Sequence, residues 1–516
     1  MIATPVVFSM SMLAISGLLY VSAEQPGGEI EERKPVPKEV KRLATDYADT
    51  ILEAIQILSK DHIKKVSPAQ LTNWAVHALY ERSGERVPGD FARRLLALRD
   101  PDEEDLRDLL RDARQHLGKR AKLTEYRDMD LSLEGIFEHL EPGTKLRPLG
   151  EERMICRLLK SRCGIGVVVE KDEESGLLRV ATPIKDSPAY KAGIRAGDVI
   201  EQIIGENEDE DGGTPRSVST KALSLEQANE SLCGKPGSQV RLILYRNDPT
   251  KRRRVEIVRA PYNREAVFGA HRKSDDTWDF LLDSKNKIVY IRIPGFTNET
   301  QREVARTLAR LGRHRIKGLI LDLRGNPGGL LHATVDCAEL FLEKGSFVAT
   351  IRGRQGKDQR IVTDSAGRFR STPLVCLIDG GSRSSSETFA ACLQDHHRAI
   401  MVGERSRGEA EVRRIVNLRH GELPFVVAAF YRPNGKPIGK VVASGKETDD
   451  WGVRPDDSYV VKLTSKERKD LAAHLRRLEI IAPNDSFRHA SKPAFRDRQL
   501  EKALEYLRKQ ARHDRP

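Results

Sequence analysis

The chain has 516 residues, 39% of them hydrophobic and 32% charged, a balance that excludes a disordered or largely membrane-embedded chain. That length corresponds to roughly two to four domains. The net charge of +12 comes from scattered Lys and Arg. Clusters such as 251–254 are short and no nucleic-acid motif appears, so no nucleic-acid partner is expected.

Residues 1–23 carry no charged side chain and end in Val21-Ser22-Ala23 before Glu24. This reads as a secretory signal cut after Ala23. The run is also long enough for an uncleaved membrane anchor. Either way the remainder is expected outside the cytoplasm, secreted or periplasmic, with a membrane contact only if the segment stays uncleaved. Residues 24–40, rich in Pro, Glu, Lys and Gly, read as a linker.

From 41 to 154 the apolar spacing of three and four predicts a helical N-terminal region. The stretch 102–119 has acid at its start and base at its end, which suits a helix dipole. From 155 to 261 the period shortens, and "GIGVVVE", "LLRVATPI" and "VRLILYR" predict a compact β-rich domain. The acidic insertion 206–213 reads as an exposed loop. From 262 to 464 strands alternate with helices, which predicts an α/β core with a parallel sheet. The tail 465–516 is charged and helical. The expected fold class is therefore multidomain α+β with an α/β core.

Six cysteines are present, none in C-x-x-C spacing. No zinc or redox site is expected, nor any metal or organic cofactor. Cys337, Cys376 and Cys392 lie in apolar segments and read as buried thiols. Cys156 and Cys163 are the closest pair for a disulfide in an oxidising compartment.

Chemistry concentrates in "PLVCLIDGGSRSSSETFAACLQD", a strand, turn and helix that contains Ser382, Ser384, Ser385 and Ser386. A serine at a helix N-terminus stands near free N–H groups able to stabilise an oxyanion. A second turn, "LDLRGNPGGLL", also follows a strand and offers glycine N–H groups. Against a nucleophile stands the spacing Ser384-x-x-Glu387, which is that of a helix-capping box. His396 and His397 read as exposed helix-end residues, and His420 as part of a hairpin turn.

The order of these motifs resembles the C-terminal processing, or tail-specific, serine peptidases, which carry an inserted PDZ domain. "CGIGVVVE", "PIKDSPAYKAGIRAGDVIEQIIG" and "LSLEQANESLCGKPGSQVRLILYR" resemble the PDZ domain. "GLILDLRGNPGGLLHATVDCAELFL", "GSRSSSETFAACLQDHHRAIMVGE" and "YRPNGKPIG" with "WGVRPD" resemble the peptidase core. The resemblance implies Ser384 as nucleophile and the N–H groups of Ser385 and Gly329 as the oxyanion hole. It implies a supporting acid at Asp395. It also implies a lysine base, and that position carries Glu409.

A buried lysine of lowered pKa accepts a serine proton; Glu409 is not such a group. Its arginine neighbours Arg405, Arg407, Arg413 and Arg414 favour a salt bridge, with Arg413 the expected partner. The PDZ resemblance implies a carboxylate loop and strand at Gly164, Ile165, Gly166 and Val167. Leu225, Ala228 and Leu232 on the following helix read equally as groove wall or core. The expected partners are protein or peptide C-termini. Two functions follow: a peptidase acting through Ser384, or an inactive relative that binds termini as an adaptor.

Overall fold

The computed structural model describes residues 36–124, 126–142, 144–147, 163–205, 217–312, 316–443, 446, 448–481 and 495–513. The segment read as a secretory signal, Cys156 of the candidate disulfide and the insertion 206–213 lie outside the described residues. Among the described residues no helix is long and apolar enough to cross a membrane.

The N-terminal region is helical as expected: α1 Lys38–Asp61, α2 Pro68–Ser83, α3 Gly89–Ala97, α4 Glu103–Leu117 and α5 Arg127–Leu140. Local signals set the ends. Ser67 and Gln70 form a capping box ahead of α2, and Gly84 closes it in the left-handed conformation. Asp102 accepts from the Asp105 N–H ahead of α4.

The β-rich unit is an antiparallel sheet of β1 Val167–Lys171, β2 Leu178–Pro183, β3 Asp198–Ile204, β4 Gln239–Arg246 and β5 Arg253–Val258, in that spatial order. Helix α6, Leu225–Leu232, packs beside β1. Along β4 the alternate residues Val240, Leu242 and Leu244 point into the core.

In the third unit, β6 Leu281–Asp283, β7 Ile288–Arg292, β8 Gly318–Asp322, β11 Leu374–Ile378 and β12 Ile400–Gly403 form one sheet; β6 is antiparallel and the rest are parallel. Strands β8 and β11 are buried throughout, as continuous apolar runs in a covered parallel sheet should be. A second sheet joins β9 Phe347–Gly353, β10 Gln359–Val362, β13 Glu411–Leu418 and β14 Gly421–Tyr431 in the order β10-β9-β14-β13. Helices α7 Thr300–Leu311, α8 Leu331–Glu339 and α9 Ser385–Asp395 share the core on one face of the parallel sheet.

Two sequence boundaries cut through cores. Leu418, Leu423 and Phe425 of the β13–β14 hairpin belong to the same apolar cluster as α1, α2, α4 and α5. Polar contacts seal that joint: buried Glu141 accepts from His62 at 2.9 Å, the Val426 N–H at 2.7 Å and Arg413 at 2.8 Å. The tail divides in two. Helix α10, Ser465–Glu479, is largely exposed, whereas α11, Arg498–His513, buries Ala503 and Leu507 on the second face of the parallel sheet. The charge of that helix hid its narrow apolar stripe.

Candidate active site and peptide groove

β8 and β11 are neighbouring parallel strands, so the turns at their carboxyl ends lie side by side. Short-range bonds stitch the turns together. Asp379 Oδ1 accepts from the N–H groups of Gly325 and Gly381, each at 2.9 Å. Ser382 Oγ donates to the Leu323 carbonyl at 2.7 Å, and the Arg383 N–H to the Asn326 carbonyl at 3.0 Å. Ser382 is thus a structural fastener.

Ser384 stands where the turn enters α9, with φ 57° and ψ −128°. A non-glycine residue there is strained by about 1–3 kcal/mol and persists only where its surroundings impose it. The glycine turn supplies that imposition. A Cβ at Gly328 would lie 2.8 Å from Ser384 Cβ and 3.0 Å from the Ser385 nitrogen, so only glycine lets the turns approach this closely. Phe296 bonds to the Gly328 carbonyl and the Leu330 N–H, leaving Gly329's own polar groups out of that pairing. The Gly329 carbonyl accepts from Ser385 Oγ at 2.9 Å. Ser384, Ser385 and Gly329 are therefore brought together where the two turns meet.

Glu387 is the buried hub of the site. One oxygen accepts from Ser406 Oγ at 2.5 Å and the Gly408 N–H at 2.6 Å. The other accepts from the Ser384 N–H at 3.1 Å and the Glu409 N–H at 2.9 Å. Burial pushes its pKa up to about 7, against the lowering effect of these donors. The spacing rule saw Glu387 only as a cap; its bonds to residues 406–409, 19 to 22 positions further on, had no local signal. Glu411, also largely buried and near Glu387, is likewise pushed up to about 7.

Because Ser384 and Glu409 donate to the same carboxylate oxygen, their backbones stand side by side. The Glu409 side chain turns to solvent. It meets Arg407 at 2.9 Å and Arg383 at 3.6 Å. The expected pairing with Arg413 does not form, because Arg413 is engaged by Glu141 across the joint with α5. Lys440 lies against the same loop: its N–H donates to the Gly408 carbonyl at 2.9 Å, and its Nζ rests 3.9 Å over the Trp451 ring.

The residues expected to form a peptide groove divide. Edge strand β1 pairs with β2 alone in the sheet order. Gly166 has φ 77°, and a Cβ there would meet Ser187 Cβ at 2.4 Å. The Ile165 N–H donates to the Leu232 carbonyl at 3.2 Å, tying the loop to the end of α6. Ile165, Val167, Ala228 and Leu232 are buried in this unit's own core, and Gly164 is buried against Leu232 and Cys233. Of the two readings of the α6 residues, core applies to Ala228 and Leu232. Leu225 is exposed, and so is Val168 on β1, which the sequence reading passed over.

A model of peptidase family S41 matches residues 287–457. The carboxyl-terminal-processing protease of Synechocystis is 30% identical over 321 residues, 61% of this chain and 67% of the relative. The chain belongs to peptidase family S41. The carboxy-terminal-processing protease of Bartonella bacilliformis is 31% identical over 313 residues, 60% of this chain and 66% of the relative. The chloroplastic C-terminal processing peptidase of Tetradesmus obliquus is 30% identical over 300 residues, 57% of this chain and 61% of the relative. The matches thus span 61–67% of these relatives' length. Among solved structures, the photosystem II D1 C-terminal processing protease is 23% identical, with a TM-score of 0.39, covering 84% of this chain and 97% of that one.

Asp395 is not beside Ser384; it ends α9, about 16 Å along the helix. It holds Arg432 through both oxygens at 2.6 and 3.0 Å and receives the Asn434 N–H at 3.1 Å. His396 contacts the Phe347 carbonyl at 2.7 Å, and His397 is exposed at the same helix end. His420 lies in the β13–β14 turn, 2.9 Å from Asp46. Burial raises the thiol pKa values of Cys337, Cys376 and Cys392, consistent with unreactive core residues.

Proposed function

We propose that this S41 chain, acting outside the cytoplasm, captures protein C-termini between β1 and α6 and presents them to a serine site of greatly weakened hydrolytic power. In this reading Ser384 is the nucleophile, with the N–H groups of Ser385 and Gly329 facing the developing oxyanion. The open edge of β1 receives the peptide as an added strand, flanked by Val168 and Leu225. The observation that carries the reading is at the base position. Glu409 stands where the resemblance expects lysine, and it is ion-paired to Arg407 and Arg383. Glu387 is no substitute acceptor, since both oxygens already take two donors each. Removing the base from a cooperating nucleophilic unit lowers the rate by ~10⁴-fold or more.

A second reading, a working peptidase, is favoured by the retained strain at Ser384, which a pure binder does not require. Lys440 would then be the amine to test. Turnover of an unfolded protein with an apolar C-terminus separates the two, comparing the natural chain with Ser384→Ala, Glu409→Lys and Lys440→Met. The proposal expects a nearly silent natural chain. Serine-dependent turnover gained in Glu409→Lys would strengthen it. Turnover by the natural chain that vanishes in Ser384→Ala would overturn it, and loss in Lys440→Met would identify the proton acceptor.

A further inference from the structure

We propose that Arg383 and Arg407 form a carboxylate-binding subsite beside Ser384, closed in the unliganded protein by Glu409, which a peptide carboxylate displaces. The proposal rests on the reading that peptides reach the serine cleft.

The two arginines are fixed at the backbone and open at the head. The Arg383 N–H is held by the Asn326 carbonyl at 3.0 Å and the Arg407 N–H by the Ser382 carbonyl at 2.9 Å. Their side chains are 51% and 57% exposed. Both guanidinium groups converge on one carboxylate, Glu409, itself 41% exposed. Arg383 directly precedes Ser384, and Glu409 shares the Glu387 oxygen with the Ser384 N–H. A carboxylate thus already sits between two guanidinium groups at the edge of the Ser384 turn, hydrogen-bonded to Arg407 Nε at 2.9 Å and ion-paired with Arg383 at 3.6 Å.

Exchange of that carboxylate is cheap. Exposed ion pairs contribute little and are screened by salt, so displacing Glu409 reduces a ligand's affinity by no more than about fivefold. The nearby charges do not compete. Arg405 is turned away, with its guanidinium 3.2 Å over the Trp451 ring and donating to the Asp449 and Trp451 carbonyls. Glu387 is buried, with its acceptors filled by Ser406, Gly408, Ser384 and Glu409. The ligand class is a peptide bearing a carboxylate near the serine, from an acidic side chain or from the chain terminus.

The test measures peptide binding by fluorescence anisotropy to the full chain carrying Ser384→Ala, so that cleavage does not interfere. Three matched peptides separate the sources: one amidated with an internal Glu, one with a free terminus and no acidic residue, and one amidated with Gln. Glu409→Gln should raise affinity by about two- to fivefold for at least one carboxylate peptide and leave the neutral peptide unchanged. The gain should shrink at high salt and disappear when Arg383→Gln and Arg407→Gln are added. Equal changes for all three peptides, or none, would overturn the subsite while leaving the groove reading intact. Gain for the amidated Glu peptide in Glu409→Gln, with no binding of the free-terminus peptide to any variant, would support the subsite and count against the groove. No binding by any variant would overturn both.

Discussion

Glu387 shows how a single buried carboxylate ties the Ser384 turn to pH. Its side chain joins the Ser384 N–H to the loop that carries Glu409, and burial holds its pKa near 7 against an ordinary 4.5. The unfolded chain releases this proton first as pH rises. Between those values unfolding liberates a proton, so rising pH favours the unfolded state. The loss amounts to on the order of 3 kcal/mol by pH 8. Glu387→Gln should therefore flatten the fall in urea-unfolding free energy between pH 5 and 8; an unchanged slope would contradict the account. Glu411 shifts in the same direction and couples to Glu387, so part of the slope should survive the substitution. At this scale spacing made the Ser384–Glu387 cap legible, while the choice of Ser384 as nucleophile came from the family resemblance alone. The partner of Arg413 was not legible, because Glu141 lies 272 residues away in the chain.

At the scale of elements, two glycines allow the Ser384 turn and the proposed groove to be tested apart. Gly328 has φ 97°, and a Cβ there would press on Ser384 Cβ, the Arg383 carbonyl and the Ser385 nitrogen, none of which is a flexible side-chain tip. Gly328→Ala should cost about 1–3 kcal/mol. It should also abolish labelling of Ser384 by a phosphonate in a Glu409→Lys background, with peptide affinity retained. Gly166→Ala meets Ser187 instead and should weaken binding of C-terminal peptides at least tenfold while that labelling persists. If either substitution affects both readouts alike, the two sites are not separable in this way. The strand and helix alternation of 262–464 was readable because its strands are buried apolar runs between helices of regular period. The inward face of α6 was not. Spacing marks Ala228 and Leu232 as one stripe, but only the packed sheet shows that the stripe is core.

Across the whole molecule, distant segments hold the site in place. The C-terminal helix α11 is pinned through Asp497 and Gln499 to Arg324, at the start of the glycine turn. Arg324 is fully buried and also paired with Asp322, which accepts from Tyr290 at 2.7 Å. Asp497→Ala leaves that guanidinium half-compensated and should destabilise the core by roughly 2–3 kcal/mol, less than a fully broken buried pair. Denaturant unfolding would register the loss; a change below about 0.5 kcal/mol, the usual surface effect, would contradict it. The charged tail gave no sign of this role, since its apolar anchors over the strands are sparse, led by Ala503 and Leu507. The central claim, capture of a C-terminus without efficient hydrolysis, is tested most directly by holding a saturating C-terminal peptide with the natural chain and following both bound fraction and peptide mass over hours. The account predicts a peptide that is bound and intact. A peptide cleaved in the natural chain, but intact with Ser384→Ala, would contradict it.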